Sequence, residues 1–449
     1  MLIRYSIENF LSFGQRAEIT MIPGKVRYLN NHIIKPKLSN DVSLLKLAII
    51  YGANASGKSN LMRSIKFAKD LILNGTTSGG LIPIRKFRLD SSLEKLPSRF
   101  EFEIKIGEKS YSYGFSCNAH KIEEEWLYEI TKKKDKMIFE RKCGNKHCDV
   151  SFGKLKNISK KEEQFLEFLA DGTRENQLFL TECYQRNLKN NLKENHDYIN
   201  TINWFKKLTI IFPNSKFGGL EYELEKNENF AKSLQDYLLN FDTGIDSIKL
   251  QKEDFHKITD LPEELKKEIE KDLKKNMKIV ITDPENKKTY AISRNEKDEI
   301  IASRVIINHK VKNSSECAVF EMGDESDGTQ RLFDLIPALM DLARKDRVFM
   351  IDELDRSLHP NLSNMIMDIF LSKTSRIESQ LLITTHESTL LNLKKFRKDE
   401  IWFVEKDKSG QSQLFSLEEF QPRFDKEIRK AYLVGRFGAT PVFKESLLN

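Results

Sequence analysis

The sequence predicts an α/β fold with a mixed sheet at its core, an antiparallel β lobe and a helical insertion. A short apolar run, Leu44 to Tyr51, leads into a glycine loop and then into a segment with helical periodicity. Alternating segments between Arg99 and Arg141 are typical of antiparallel strands that are covered on one face. Strand and helix patterns alternate again after Gly328, which indicates a parallel core.

The first 150 residues are predicted to form the amino-terminal part of the α/β domain. Strands are expected over residues 2–7 and near Ala17 to Met21. The apolar run at Leu44 to Tyr51 is typical of a strand buried on both faces. Apolar residues from Lys58 to Leu73 recur with the helical period, so strand, loop and helix follow one another.

Residues 151–277 are predicted to form a helical insertion, and residues 278–449 to complete the α/β domain. Glycines and prolines break the insertion into short helices, the last of them ending near residue 276. Apolar side chains of the insertion either pack onto its own domain or present a surface to a partner. Those side chains are Phe165, Phe168, Leu169, Trp204 and Phe205.

Composition and charge exclude some classes of protein. The 449 residues are 39% hydrophobic and 31% charged, as in a globular chain, and the net charge of +7 does not by itself indicate nucleic-acid binding. No run of 18 apolar residues occurs, and the first residues lack the pattern of a signal peptide. We therefore expect a cytoplasmic protein with no membrane partner.

The cysteines favour reduced thiols, because five is an odd number and no secretion signal is found. Cys117, His120, Cys143, His147 and Cys148 lie at the ends of a predicted strand pair, which leaves a zinc site open. The spacing is unusual for a zinc knuckle, so a polar hairpin turn is the favoured alternative.

The segment Gly52 to Ser59, GANASGKS, matches the phosphate-loop pattern G-x-x-x-x-G-K-[ST] between a buried strand and an amphipathic helix. Its backbone N–H groups can form an anion-binding nest at the start of the helix. Lys58 would reach the β- and γ-phosphates, and the Ser59 hydroxyl would bind Mg²⁺. The predicted nucleotide contacts in this segment are Gly52, Asn54, Ser56, Gly57, Lys58, Ser59 and Asn60.

Two further strands are predicted to end in catalytic side chains. Val348 to Ile351 runs into Asp352 and Glu353, where Asp352 can hold magnesium while Glu353 polarises the attacking water. His386 follows another apolar strand and would deliver its imidazole to the γ-phosphate.

A polar segment, Glu325 to Gln330, precedes a predicted helix. Ser326 can cap this helix, while the amides of Gly328 and Thr329 are expected to point outward as anion donors.

The order of these motifs resembles the ABC-type ATPase head: phosphate loop, S-D-G-T-Q before a helix, apolar-Asp-Glu strand, Leu358-His359-Pro360, then T-T-H. The opening segment IENFLSF resembles the SMC/RecF branch of that family. The resemblance covers about residues 1–140 and 280–405. No glutamine occurs between Ser59 and Gln164, so the magnesium-sensing glutamine of the family has no assigned counterpart.

The resemblance implies Mg²⁺-dependent hydrolysis of ATP, with Glu353 and His386 catalytic and Ser59 and Asp352 holding the metal. It also implies that Ser326 and Gly328 contact ATP held by a second copy. The chain would then act as a homodimer, or an assembly of dimers, with ATP sandwiched between two heads.

The tail, Lys426 to Pro441, resembles the ending of small bacterial SMC-like ATPases of the RloA/AbiL type. This implies a nucleotide-driven sensor or switch in an anti-phage, abortive-infection system that controls a separate effector such as a Toprim nuclease. The alternative is a RecF-like ATPase of DNA repair or DNA loading. Basic stretches leave DNA binding open, although a solvated surface is favoured for them. They are Lys132–Lys134, Lys154–Lys161 and Lys266–Lys275.

Overall fold

The computed structural model describes most of the chain and divides it into two compact units. The described residues are 1–36, 41–144, 147–153, 159–186, 196–274, 277–282, 288–295, 297–342, 347–375, 377–420 and 428–440. The first unit comprises Met1–Pro213, Leu342–Asp355 and Met367–Asn449, and the second comprises Asn214–Asp341 and Arg356–Ile366. This division does not coincide with the predicted boundaries at residues 150 and 277.

A seven-stranded antiparallel sheet forms the predicted β lobe of the first unit. Its strands are β1 (Leu2–Glu8), β2 (Ala17–Thr20), β6 (Ser98–Ile106), β7 (Lys109–Cys117), β8 (Ile122–Ile130), β9 (Lys136–Cys143) and β10 (Cys148–Phe152). They lie in the order β10-β9-β8-β7-β6-β1-β2. Buried and half-buried side chains alternate along most of β6, as expected for a strand with one face on the core.

The central sheet of the first unit is mostly parallel. Its strands are β5 (Leu47–Tyr51), β11 (Thr209–Ile211), β17 (Val348–Ile351), β18 (Gln380–Thr384), β19 (Ile401–Lys406) and β20 (Ser412–Ser416). They lie in the order β11-β17-β18-β5-β19-β20, and only β20 is antiparallel to its neighbour. Every residue of β5, β17 and β18 is buried, which confirms the interpretation of their apolar runs. A small pair, β3 (Ile33–Ile34) and β4 (Leu44–Leu45), precedes β5.

The helices largely follow the predicted periodicity. They are α1 (Lys58–Asn74), α2 (Lys160–Gly172), α3 (Phe179–Gln185), α4 (Asp197–Lys207), α5 (Leu220–Lys226), α6 (Glu228–Asn240), α7 (Glu263–Asp272), α8 (Asp327–Leu342), α9 (Pro360–Lys373) and α10 (Ile428–Leu433). Ser159 and Glu162 form a capping box that fixes the start of α2. None of the helices that the structure describes is both long enough and apolar enough to cross a membrane.

Helices α2 to α4 belong to the core of the first unit. The Phe205 ring lies 5.0 Å from the Phe102 ring of the antiparallel sheet, and Leu169 and Trp204 are buried in the same core. Phe168 is the exception, with 72% of its surface exposed. The apolar residues of this part of the predicted insertion therefore mostly pack onto their own domain.

The second unit contains an antiparallel sheet of its own. Its strands are β12 (Ile245–Asp254), β13 (Lys278–Thr282), β14 (Thr289–Arg294), β15 (Ile300–Lys310) and β16 (Cys317–Phe320), in the order β12-β15-β14-β13 with β16 also paired to β15. A separate core packs on it, with Phe255, Ile269 and Ile292 among its members. The prediction that residues of about 160–276 are mainly helical did not include the strands β11 and β12. The side chains of β12 are half-buried or exposed except at Ile245, and many are polar, so the strand has only a weak apolar pattern.

The expectation of reduced cysteines is wrong for one pair. Cys143 and Cys148 lie directly opposite each other on β9 and β10, with their Cα atoms 3.9 Å apart, and form a disulfide. Cys117, Cys183 and Cys317 are free thiols. The disulfide sulfurs are not available to zinc, and the described parts of the chain contain no group of three or more His, Cys, Asp or Glu side chains that could hold a metal ion.

Candidate functional site

Three predicted motifs meet at one edge of the central sheet. Strand β18 lies between β17 and β5, and all three are parallel, so their carboxyl ends point to the same edge. Gly52 follows β5, Asp352 follows β17 and His386 lies just beyond β18. The structure therefore brings together the predicted site residues of the first unit.

The phosphate loop, residues Gly52 to Ser59, has the backbone of an anion-binding nest. Ala55 and Gly57 both have left-handed conformations, with φ of 60° and 120°. Gly57 caps α1, and a Cβ atom at this position would lie 2.2 Å from the Ser412 hydroxyl. Only glycine therefore fits here, both for its φ and for the space available. Within the loop Ser56 is buried, and Asn54 is exposed.

Lys58 is buried at the base of the loop. Its ammonium donates hydrogen bonds to the carbonyl oxygens of Gly52, at 2.7 Å, and Ala53, at 3.1 Å. Burial lowers the pKa of Lys58 to about 8, although the nearby carboxylates of Asp352 and Glu353 oppose that shift. The positive charge of Lys58 thus lies where it would contact a phosphate held by the nest.

The carboxylate of Asp352 is almost completely buried and accepts two hydroxyl hydrogen bonds at the same oxygen. Ser59 Oγ donates to Asp352 Oδ1 at 3.2 Å, and Thr384 Oγ1 donates to it at 2.6 Å. Hydroxyl and carboxylate oxygens are ligands that Mg²⁺ accepts, and Mg²⁺ usually takes only one or two such groups from a protein. The pair formed by Ser59 and Asp352 therefore fits a magnesium ion.

Glu353 is half-buried and has a left-handed backbone, with φ of 49°. Its N–H donates to Thr384 Oγ1 at 2.8 Å. Such a conformation is uncommon for a residue with a long side chain, and strained backbone of this kind clusters at functional sites.

His386 is exposed beside these groups. Its backbone N–H lies 3.2 Å from each carboxylate oxygen of Asp355, to which it donates. Desolvation and the positive charge of Lys58 lower the pKa of the His386 imidazole, so the neutral form is favoured at neutral pH. Asp355 was not predicted as a site residue.

Two serines that the sequence analysis missed support the loop from the side. Ser412 Oγ lies 2.5 Å from the Ser56 carbonyl oxygen and 2.7 Å from Ser12 Oγ. The Asn60 side-chain amide donates to Ser12 Oγ at 2.9 Å. The opening segment IENFLSF thus contributes Ser12 to the support of the phosphate loop, and the Asn60 amide has a partner within the protein.

The remaining predicted nucleotide contacts, Ser326 and Gly328, lie in the second unit. Ser326 is exposed and caps α8, because its Oγ accepts the Thr329 N–H at 3.1 Å. The expectation that the Thr329 amide points outward is therefore wrong. A Cβ atom on Gly328 would lie 2.6 Å from the carbonyl oxygen of Ser357, so glycine is required for this close approach.

The tail packs beside the strand that leads into the phosphate loop. The ring centroid of Tyr432 in α10 lies 5.6 Å from that of Phe403 and 5.7 Å from that of Tyr51, the residue before Gly52. Leu433 and Val434, in contrast, are exposed. Of the other predicted features, Pro441, residues 154–158 and Lys275 lie outside the described residues.

Comparisons with known proteins identify one family. Residues 47–392 match the family model described as "AAA domain, putative AbiEii toxin, Type IV TA system". The match includes the phosphate loop, Asp352, Glu353 and His386. No curated protein matches the chain in sequence.

Similar solved structures include SMC head domains. The SMC head domain from Thermotoga maritima is 11% identical, with a TM-score of 0.36, and the match covers 92% of this chain and 98% of that one. A SmcHead bound to the C-winged helix domain of ScpA is 12% identical, with a TM-score of 0.41 and coverage of 94% and 99%. An Smc head domain bound to the C-terminal domain of ScpA, derived from Pyrococcus furiosus, is 13% identical, with a TM-score of 0.37 and coverage of 94% and 99%.

Proposed function

The chain belongs to this family of AAA domains, whose model covers most of its length, and on that premise we propose that it is a magnesium-dependent ATPase. The observation that supports the proposal most is the contact between Ser59 and Asp352, which joins the phosphate loop to the acidic strand. Lys58 lies at the base of the same loop. The reaction would yield ADP and phosphate.

Nucleotide binding is assigned to the phosphate loop and the start of α1. The backbone N–H groups of the nest would hold the β- and γ-phosphates, and the Lys58 ammonium would exchange its two carbonyl partners for phosphate oxygens. The proposed contacts of the loop are Gly52, Asn54, Ser56, Gly57, Lys58, Ser59 and Asn60.

Metal binding and hydrolysis are assigned to the residues at the strand ends. Ser59 and Asp352 would hold Mg²⁺, which when bound would neutralise charge on the phosphate oxygens. Glu353 would accept a proton from the attacking water, and its half-buried position beside the loop suits this role. His386, with its imidazole favoured in the neutral form, would donate a hydrogen bond to the γ-phosphate.

A second copy of the chain is proposed to complete the site. Ser326 is exposed at the beginning of α8, where the helix N-terminus favours an anion. In the proposed homodimer, or assembly of dimers, Ser326 and Gly328 of one copy would contact the γ-phosphate held by Lys58 of the other.

The biological role that we propose is that of a cytoplasmic sensor or switch in an anti-phage system of the abortive-infection kind. The family description names a toxin of a toxin–antitoxin system, which belongs to the same broad class of function. ATP binding and hydrolysis would hold or release a separate effector, such as a Toprim nuclease.

Release of phosphate from ATP by the purified chain, with and without Mg²⁺, tests the enzymatic proposal. We expect Mg²⁺-dependent hydrolysis that Lys58→Ala abolishes, whereas equal background rates in both proteins would contradict the enzymatic proposal.

The defence role is tested by plating phage on cells that express the chain with its neighbouring genes. Lys58→Ala is expected to abolish protection; a requirement in repair of damaged DNA, without any effect on phage, would favour a RecF-like ATPase instead.

A further inference from the structure

Thr384, the last residue of β18, contacts three consecutive residues of the acidic segment. It is completely buried. Its hydroxyl donates to Asp352 Oδ1 at 2.6 Å and accepts the Glu353 N–H at 2.8 Å. Its carbonyl oxygen accepts the Leu354 N–H at 3.0 Å. A single residue of the neighbouring strand thus binds the whole turn from Asp352 to Leu354.

These hydrogen bonds act where the backbone is strained. A left-handed conformation costs a residue such as Glu353 about 1–2 kcal/mol, so the surrounding structure must compensate for it. The two backbone N–H groups of Glu353 and Leu354 are both satisfied by Thr384, by its hydroxyl and its carbonyl oxygen. Without the hydroxyl, the Glu353 N–H would lose the partner that orients it.

The hydroxyl itself is unusual at this position. The other β18 residues near it, Leu381 to Ile383, are apolar and buried, so valine would satisfy the packing of a β-branched residue here. A buried hydroxyl is costly unless it is hydrogen-bonded, and this one is used twice. Its two partners belong to the two residues to which magnesium binding and proton transfer are assigned.

We infer that Thr384 is a positioning residue whose one hydroxyl sets the orientation of both acidic groups, Asp352 and Glu353, relative to the phosphate loop. The inference rests on the proposed ATPase function. Because Ser59 and Thr384 donate to the same oxygen of Asp352, the hydroxyl fixes the rotation of that carboxylate where it meets the magnesium position. Through the Glu353 N–H it also fixes the strained turn from which the base side chain leaves the backbone.

The test compares variants that differ in the hydroxyl alone. Thr384→Val keeps the shape of the side chain and removes the hydroxyl, whereas Thr384→Ser keeps the hydroxyl. Thr374→Val is the matched control, because Thr374 is also buried but its hydroxyl donates to the Phe370 carbonyl oxygen at the end of α9. Each protein is measured for kcat, KM for ATP, the Mg²⁺ concentration that gives half-maximal rate, and affinity for a fluorescent ATP analogue with and without Mg²⁺.

For Thr384→Val we expect kcat to fall by about 10- to 100-fold and the half-maximal Mg²⁺ concentration to rise, as when a partner of a metal ligand is lost. The Mg²⁺-free affinity for the analogue is expected to stay within about twofold, since the nest and Lys58 are intact. Thr384→Ser and Thr374→Val are expected to resemble the wild type. If Thr384→Val does not fold, Thr384→Ala is compared with Thr384→Ser, because these two differ only in the hydroxyl.

Three results would overturn the inference. The first is a Thr384→Val protein with wild-type kcat and Mg²⁺ dependence. The second is an equal loss in every parameter, including Mg²⁺-free affinity, which would indicate a merely structural role. The third is a wild type that binds no ATP, which would overturn the ATPase proposal as well.

A wild type that binds but does not hydrolyse ATP would disprove the ATPase proposal alone. The Mg²⁺-dependent gain in affinity would then still decide the role of Thr384.

Discussion

The Ser59 hydroxyl donates a hydrogen bond to Oδ1 of Asp352 at 3.2 Å, although 293 positions separate the two residues in the chain. This contact joins the first turn of α1 to the end of β17. It places a hydroxyl and a carboxylate, both suitable ligands of Mg²⁺, beside the phosphate loop.

Glu353→Gln is expected to separate binding from hydrolysis. The amide cannot accept the proton of the attacking water, so kcat should fall by about 10²- to 10⁴-fold while ATP still binds. The Lys58→Ala protein should lose ATP binding as well as hydrolysis. Equilibrium binding and single-turnover hydrolysis measure the two effects, and a wild-type rate for Glu353→Gln would show that another group is the base.

Mixed protomers test whether the site is composite. Lys58→Ala and Ser326→Arg proteins should each be inactive alone, while their mixture should regain activity through one intact site per heterodimer. In addition, Glu353→Gln with ATP should form a dimer by light scattering. The idea of a shared site would be refuted by a monomer at high concentration under those conditions.

ATP binding should take up protons in mildly alkaline solution. The pKa of Lys58 is about 8, so its side chain is charged below that pH and loses its proton as the pH rises through it. Phosphate binding favours the charged form, so at about pH 9 each bound ATP should draw up to about one proton onto Lys58. Calorimetry in two buffers of different ionisation enthalpy measures the uptake. Its absence would show that Lys58 is already protonated in the free protein at that pH.

Ser412→Ala is expected to weaken nucleotide binding without disturbing the strand. The Ser412 hydroxyl lies against the Ser56 carbonyl oxygen, and loss of one such hydrogen bond costs about 1 kcal/mol, or about fivefold in ATP affinity. Ser416→Ala, in the same strand β20, is the matched control because the Ser416 hydroxyl accepts the backbone N–H of Glu418, which is not part of the phosphate loop. Equal affinities in the two variants would argue against support of the loop by Ser412.

Tyr432→Ala tests the packing of the tail against the sheet. Tyr432 is buried on Phe403 and Tyr51, so its truncation should lower the free energy of unfolding by about 3 kcal/mol. Leu433→Ala, at an exposed neighbour, should leave stability unchanged. Denaturant unfolding provides the measurement, and similar midpoints for the two variants would show that the tail does not stabilise the domain.

Much of the site could be predicted from the sequence because its signals are local. The phosphate loop is recognised by the glycines, lysine and serine of one eight-residue segment. The strands before Asp352 and His386 are recognised by their apolar residues, because both strands are buried on both faces. The same local patterns predicted the bounds of α1 closely. Strand β12 was missed, since a strand with few buried apolar residues has no clear period to detect.

The sequence by itself predicted the residues to which phosphate, metal and proton chemistry are assigned, whereas the tertiary structure alone decided which residues hold them in place. Ser412 belongs to no motif, and although Thr384 is part of T-T-H, its contact with Asp352 follows only from the packing of two strands. The contact of Asp355 with His386 and the Cys143–Cys148 disulfide likewise depend on which segments become neighbours. The physical reason is that motifs reflect backbone conformation over a few neighbours. Contacts such as that of Thr384 with Asp352 depend instead on which strands become adjacent and in what register, and burial against distant parts of the chain selects both.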